Sequence, residues 1–94
     1  MTVYVDQIRD YGGMVKGQAR RYGTRWCHMW ADSEEELRVF AVKIGMRTPW
    51  IQHPMTKRVH FDLVPRRREL AIQCGAIEKE VRDWLREQRA EAHS

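Results

Sequence analysis

The fold of this chain is decided by residues 25–45, which read RWCHMWADSEEELRVFAVKIG. The first eight residues alternate with a period of two, which predicts a β-strand whose side chains point to two opposite faces. One face carries the polar and aromatic side chains Trp26, His28, Trp30 and Asp32. The other face carries the smaller apolar side chains Cys27, Met29 and Ala31. The strand therefore separates an apolar side of the protein from a polar-aromatic side.

A helix follows the strand directly. Residues 33–36, Ser-Glu-Glu-Glu, form a capping box, in which the serine oxygen accepts the third backbone N–H and Glu36 reaches back. The acidic side chains also suit the positive end of the helix dipole. Apolar residues then recur at helical spacing, and Gly45 supplies the stop. The predicted buried stripe is Leu37, Phe40, Ala41 and Ile44.

Two further strands are predicted on either side of this unit. Residues 2–6 alternate and are rich in β-branched and aromatic side chains, and residues 59–63 alternate in the same way. Their apolar positions predict one sheet face with Cys27 and Met29. The opposite face collects Tyr4, Asp6, Trp26, His28, Trp30, Asp32, His60 and Asp62. That face is too polar for a dry core and too aromatic for plain solvent, so we expect something to cover it.

The remaining elements complete an α+β fold. Pro65 suits the first turn of a second helix, which runs to about Cys74 and stops at Gly75. Residues 76–78 are a candidate edge strand, and Val81, Trp84 and Leu85 mark a final helix. We predict a small sheet of three to four strands with two helices on one face and an extra C-terminal helix, in the order β-β-α-β-α-(β)-α.

Composition limits the class of protein. The 94 residues suit one domain, and 43% hydrophobic with 32% charged residues are globular proportions. Cys27 and Cys74 are too few for a disulfide framework, so we expect free, buried thiols and a reducing compartment. No apolar run is long enough for a membrane span and no signal-peptide core precedes the first strand. We therefore expect a cytoplasmic protein that does not engage a membrane.

Several of the quoted stretches share their order and spacing with a known family. They are Trp26-Cys27-His28-Met29, Ala31-Asp32-Ser33, Glu36-Leu37 with Phe40-Ala41, Ile44-Gly45, His60-Phe61-Asp62 and Gly75-Ala76. Over residues 2–78 the chain resembles a family of short bacterial and phage proteins known only as a domain of unknown function. Its pattern is close to W-[AC]-H-[LM], a serine or aspartate pair, E-L-x-x-F-A, G, H-[YF]-D and G-A.

The resemblance has implications for the site and for the domain limits. It implies that His28, Asp32, His60 and Asp62 belong to one shared site. Family members usually carry tyrosine where Phe61 stands, which implies that this ring packs rather than takes part in chemistry. It also implies a single α+β domain over residues 1–78, with residues 79–94 as a C-terminal helical extension that could serve oligomerisation. A bacterial cytoplasm, or the host cytoplasm for a phage protein, is the implied location.

The histidines of the polar-aromatic face leave three interpretations open. His28, His60 and Asp62 are the residue types of a two-histidine, one-carboxylate metal site. Alternatively, one histidine acts as a catalytic general base whose tautomer is set by Asp62. The third interpretation is a structural network of histidines and carboxylates. The sequence requires no cofactor, although a divalent metal stays open, and we assign no metal ligand.

Arginines indicate an anionic partner. The net charge is +4, and arginine supplies 13 of the 17 cations, which favours fork-shaped contacts with anions. Arg66, Arg67 and Arg68 fall in the first turn of the second helix, where they oppose its dipole unless a phosphate or acidic partner binds there. Arg20 and Arg21 lie in a glycine-rich loop over residues 7–24 that lacks Walker spacing.

These patterns support three hypotheses for function. In the preferred one, a binding protein holds a nucleotide or nucleic-acid strand on the polar-aromatic face. The expected ligand contacts are Tyr4, Trp26, Trp30, Asp32, Arg20, Arg21, Arg25, Arg66, Arg67 and Arg68. In the second, a small nucleotide- or phosphoester-processing enzyme uses His28, His60 and Asp62 as catalytic residues. In the third, a phage or bacterial interaction or inhibitor module forms a homodimer or complex through the tryptophan face or the C-terminal helix.

Overall fold

The structure is a computed structural model, and it describes residues 2–12 and 23–92. Its sheet is built around the longest strand. We number the strands β1 (Val3–Val5), β2 (Arg9–Asp10), β3 (Arg25–Ala31), β4 (Phe61–Leu63) and β5 (Ile77–Glu78). β3 pairs antiparallel with β1 and β2 and with β4, while β5 runs parallel to β1. The α+β class predicted from sequence is confirmed.

Register places the predicted faces as expected. Val5 lies opposite Met29, Met29 lies opposite Phe61, and His28 lies opposite Asp62. The strands share a period of two, so paired residues point to the same side of the sheet. The apolar face is buried, and its largest fully buried side chains include Phe61, Met29 and Leu63. Burying each of these contributes about 1.5–3 kcal/mol.

The first helix, α1 (Glu34–Lys43), covers this apolar face. The Ser33 hydroxyl accepts a hydrogen bond from the N–H of Glu36, so the predicted N-cap is confirmed. Leu37, Ala41 and Ile44 are buried, and Phe40 packs partly buried against the core. The helix ends where predicted, because Gly45 adopts a φ of +80° that an L side chain rarely takes.

The second helix, α2 (Pro65–Gln73), packs beside α1 on the same face and contacts β1, β3 and β4. Ala71 is fully buried, as expected, whereas Cys74, which was expected to be buried, is only partly buried. The expectation that Leu70 is buried is wrong, since its side chain is 38% exposed. Ile72 packs against the core instead, because α2 presents its 71–72 edge rather than residue 70 to the sheet.

Two parts of the chain differ from the elements predicted for them. β2 lies within residues 7–24, for which the sequence predicts a loop. Its two residues pair with β3, and because both are polar they lack the apolar alternation that would indicate a strand. The connection from residue 46 to residue 58 contains a 3₁₀ turn, Thr48–Trp50, and then a bridge between Gln52 and His60. That bridge is separate from the pairing of β4 with β3, and its two backbone hydrogen bonds fix the backbone of His60.

The third helix, α3 (Val81–Ala92), follows β5 and covers the polar-aromatic face. The Trp84 ring lies 6.2 Å from the Tyr4 ring and 6.1 Å from the Trp30 ring. Tyr4 and Trp30 are register partners whose rings stack at 5.6 Å. The cover expected for this face is therefore the chain's own last helix. Within the described residues, no helix has the length and apolarity needed to cross a membrane.

Candidate functional site

A cleft of about 680 Å³ opens between α3 and the hairpin that leads into β4. Its floor is formed by the two imidazoles of His28 and His60, whose ring centroids are 5.2 Å apart with the rings nearly perpendicular. Trp84, Leu85 and Val59 provide apolar wall. This volume lies in the range of small-molecule sites.

The sheet brings three predicted residues together: His28 and His60 line the cleft, and Asp62 lies next to them. His28 and Asp62 are register partners on β3 and β4, and His60 is two residues before Asp62 on the same side. One potential ligand atom from each of His28, His60 and Asp62 lies within 4.8 Å of the other two. The Nε2 atom of His60 is 3.4 Å from Oδ1 of Asp62. The predicted cluster of two imidazoles and a carboxylate is thus present.

Asp6 joins the cluster through its contacts with His28. Its position in the sequence predicts this face of the sheet but does not mark it as a site residue. Its carboxylate is almost fully buried and accepts the backbone N–H of His28 at 2.6 Å. Its other oxygen lies 2.7 Å from Nδ1 of His28. A carboxylate only accepts hydrogen bonds, so Nδ1 carries the proton and Nε2 of neutral His28 keeps its lone pair.

Register places Asp6 opposite His28, one step beyond the pair of Val5 and Met29, and the pairing becomes irregular after it. Val5 pairs with Met29 and Arg9 pairs with Trp26, so three residues of one strand edge oppose two residues of β3. Such an insertion bends the strand after Asp6. The Asp6 N–H donates to the His28 carbonyl, and the Asp6 carbonyl accepts from Nε of Arg68. Both the N–H and the carbonyl group of Asp6 are therefore held by hydrogen bonds.

His60 is oriented by its own strand. Nδ1 of His60 lies 2.7 Å from the Arg58 carbonyl oxygen, which can only accept, so this nitrogen is also the protonated one. Burial lowers the pKa of His60, but its contacts with the Asp62 carboxylate and the Arg58 carbonyl outweigh that effect. The net pKa lies above the ordinary histidine value. The ring thus sits in an environment that favours positive charge.

Cations surround the mouth of the cleft. They are Arg9, Lys57, Arg58 and Arg82. Arg9 pairs with Glu80 at 2.9 Å, whereas within the described residues Lys57, Arg58 and Arg82 form no ion pair. None of these four was singled out from sequence. For Arg58 a signal existed, because it lies two residues before His60, on the approach to the same strand.

The predicted arginine triad at α2 has other partners. Arg67 donates to the Ile44 carbonyl at the end of α1, and Arg68 bonds the Asp6 carbonyl and Glu78. Their placement opposes the dipole of α2, but Arg67 lies at the C-terminal end of α1, where a cation is favourable. Arg66 is exposed and does not line the cleft. Contacts within the protein thus explain why Arg67 and Arg68 lie in the first turn of α2, where cations oppose the helix dipole.

Of the remaining predicted ligand residues that the structure describes, Trp30 lines the histidine cleft and the others do not. The Tyr4 hydroxyl donates to Asp32 at 2.9 Å, and both line a second cavity beside Trp84, so Asp32 does not join the cluster. Trp30 is only 5% exposed, and the Trp26 indole donates to the Gly23 carbonyl. Arg25 is exposed opposite Asp10. Arg20 and Arg21 lie outside the described residues.

The fold and this cluster can be compared with known proteins. A family model described as a protein of unknown function (DUF4031) matches residues 3–91. The chain belongs to this family. The matched region includes α3 and therefore all of the elements that form the cleft. No curated protein and no solved structure matches the chain.

Proposed function

We propose that this member of the family binds a phosphate-bearing anion, a nucleotide or the backbone of a single nucleic-acid strand, in the histidine cleft. The observation that carries the proposal is the set of cations Lys57, Arg58 and Arg82, which line the cleft with two imidazoles and have no carboxylate partner among residues 2–12 and 23–92. Guanidinium and ammonium groups supply the donors that phosphate oxygens accept.

The carboxylates of the cleft do not cancel this charge. Asp6 is buried and engaged by His28, Glu80 is paired with Arg9, and the adjoining Asp62 is paired with His60. A ligand entering the mouth therefore meets mainly unpaired positive charge. Association with an anion should weaken as salt rises, because these cations are solvent-exposed and screened.

The apolar wall suggests where a base would lie. Trp30 is buried beneath α3, so stacking on it is not available to a ligand. Trp84 is half-buried and lines the cleft, which makes it the better candidate platform. A homodimer through the tryptophan face stays a prediction, but Trp30 cannot provide its surface while α3 is in place.

The test is calorimetric titration at low salt with inorganic phosphate, a nucleotide panel and short single strands. Lys57→Gln with Arg58→Gln should weaken binding by about tenfold or more, since each exposed charged contact is worth around 1 kcal/mol. Lys43→Gln with Arg66→Gln is the matched control, because it removes the same charge from exposed positions that do not line the cleft. Absence of heat with every ligand, or an equal loss in both double variants, would count against the proposal.

A phosphoester-processing enzyme is the second candidate, and the pair of Asp6 and His28 favours it. A buried carboxylate that holds the Nδ1 proton of a histidine leaves Nε2 ready to accept a proton from water. Turnover of the same nucleotide panel should then be lost in His28→Gln and His60→Gln. Binding without turnover in the parent protein would remove the enzyme candidate and leave the binding function standing.

A further inference from the structure

We propose that His28, His60 and Asp62 form a binding site for one divalent transition-metal ion of the zinc class. The site is at the floor of the cleft described above, which His28 and His60 line and Asp62 adjoins. The inference about the ion itself stands on the cluster geometry, and its role toward the phosphate rests on the proposed anion-binding function. No metal ligand was assigned from sequence, because the strand pairing that unites the three residues was not known.

The sheet explains why the three side chains converge. The pairing of His28 with Asp62 places them side by side on adjacent strands, where Cβ atoms are about 4.5–5.5 Å apart. His60 is two residues before Asp62 and therefore points to the same side of the sheet, and a separate bridge to Gln52 fixes its backbone. Their candidate ligand atoms already lie within 4.8 Å of one another. Around a tetrahedral zinc ion, with bonds near 2.0–2.1 Å, neighbouring ligand atoms are about 3.4 Å apart.

The three candidate ligand atoms need to approach one another by only a small distance, and their side chains have room to move. The side chains of His28, His60 and Asp62 are 34%, 21% and 39% exposed, so each can rotate toward a common centre. Asp62 already approaches Nε2 of His60 at 3.4 Å. Small side-chain rotations would therefore bring the three ligand atoms to metal-binding distances without moving the sheet.

Both imidazoles have the outer contacts that metal-bound histidines have. A metal-ligating histidine usually donates its other ring N–H to a carboxylate or a backbone carbonyl, which fixes the tautomer and ring orientation. His28 makes this contact with the Asp6 carboxylate, and His60 makes it with the Arg58 carbonyl. In both neutral rings the lone pair is then on Nε2, and in His60 this atom lies 3.4 Å from Asp62, the third proposed ligand. A purely structural network would not require the lone pair to be on the same nitrogen in both rings.

The ligand types select the class of ion. Two imidazoles and one carboxylate suit zinc and its first-row neighbours, whereas calcium and magnesium prefer oxygen ligands alone. Three protein ligands also leave at least one coordination position for water or a substrate oxygen. An ion there would face the mouth that Lys57, Arg58 and Arg82 surround. It could contact a phosphate oxygen while these cations neutralise the other oxygens.

The experiment uses the tag-free full chain after treatment with a chelator. Zn²⁺ alone is titrated by calorimetry, and Co²⁺ alone is followed by its visible absorption, which reports coordination by nitrogen and oxygen ligands. We expect one ion per chain. Asp62→Asn and His60→Gln should each weaken binding by more than 100-fold, while His53→Gln should leave it unchanged. His53 is the matched control, because its ring lies only 5.8 Å from that of His60 but is not one of the three ligands.

A further variant tests the outer contact. In Asp6→Asn, an amide NH₂ would face Nδ1 of His28 and favour the tautomer with the proton on Nε2. Zinc affinity should then fall by roughly 10–100-fold although no ligand has been removed. Circular dichroism and urea unfolding of each variant show whether its fold is retained. Equal zinc affinity in parent protein, Asp62→Asn and His60→Gln would overturn the proposal even if His28 variants fail to fold.

The outcomes separate this inference from the proposed function. Phosphate or nucleotide binding is measured with and without bound zinc. Ligand binding by a protein that takes up no zinc would overturn the metal site and support the anion-binding function. Zinc binding that requires His60 and Asp62, without any anion binding, would support the site and overturn the function. Tighter anion binding in the zinc-loaded protein would support both.

Discussion

The Asp6 carboxylate holds the His28 imidazole from inside the protein, with 2.7 Å between Oδ2 and Nδ1. The same side chain accepts the His28 backbone N–H at 2.6 Å, so one buried group fixes both the strand and the ring. Charge-assisted hydrogen bonds of this kind are the stronger ones in proteins. The candidate site and the fold therefore depend on a common residue.

Asp6→Ala should lower the free energy of unfolding by about 2–4 kcal/mol, because two donors of His28 lose a charged acceptor in a buried position. Urea unfolding monitored by circular dichroism measures the change. Asp83→Ala is the control, since the Asp83 side chain is 54% exposed on α3 and should change stability by less than about 1 kcal/mol. Similar values for the two variants would contradict the role assigned to Asp6.

Gly45 and Arg67 should be energetically coupled. A Cβ at Gly45 would lie 2.6 Å from an Nη atom of Arg67, whose guanidinium bonds the Ile44 carbonyl. Gly45→Ala should cost about 1–2 kcal/mol in the parent protein, and less in an Arg67→Ala background, where only the strain of a positive φ remains.

A double-mutant cycle from urea unfolding measures this coupling. Gly75→Ala is the matched control, because Gly75 also has a positive φ but its Cβ would meet no atom within 4 Å. A cycle between Gly75 and Arg67 should give no interaction energy. If the cycle with Gly45 also gives no interaction energy, the contact between Gly45 and Arg67 does not affect stability.

Cys27 should be inert toward thiol reagents. Burial raises the pKa of its thiol to about 12, so only about one molecule in ten thousand carries a thiolate at pH 8. Its side chain is 1% exposed, whereas Cys74 is only partly buried. A disulfide reagent should modify one thiol rapidly in the native protein and two in denaturant. Cys74→Ser should abolish the rapid phase, and a rapid phase that persists in it would contradict the prediction.

Alkaline pH should destabilise the fold through the same thiol. The folded pKa is raised above the ordinary value of 9.0, so the stabilising contribution is complete below pH 9. Above that pH the unfolded chain releases the proton first, and stability falls as pH rises toward 12. Urea unfolding between pH 8 and 11 should show a shallower decline in Cys27→Ala than in the parent protein. Parallel declines would exclude Cys27 as the source.

Trp84 should be the main attachment of α3 to the sheet. Trp84→Ala removes the ring that packs on Tyr4 and Trp30, and we expect a loss of about 1–3 kcal/mol. Tryptophan fluorescence should shift to the red as Trp30 becomes exposed. Trp50→Ala is the control, because Trp50 is 44% exposed and its removal should shift the mean emission to the blue. A blue shift in both variants would mean that Trp30 stays covered without Trp84.

The sequence by itself determined the faces of the sheet and the capped helix. Both follow from local periodicity: a period of two assigns Met29 and Phe61 to one face and His28 and His60 to the other, and Ser33 with Gly45 delimits α1. The sheet faces and the limits of α1 depend on residues that are close together in the chain, so they can be predicted without any tertiary contact. Strand parity likewise assigned His28, His60 and Asp62 to one face, but their convergence also requires β3 and β4 to be neighbours, which parity does not specify.

Only the tertiary structure decided how distant residues are used. The pairing of β1 with β3 puts Asp6 at His28, the position of α2 near the C-terminal end of α1 takes Arg67 to the Ile44 carbonyl, and α3 folds back so that Trp84 contacts Trp30. It also brought Lys57 and Arg82, rather than Arg66, to the cleft. Each of these relationships depends on register and helix orientation across more than 20 residues of chain, which local periodicity does not specify.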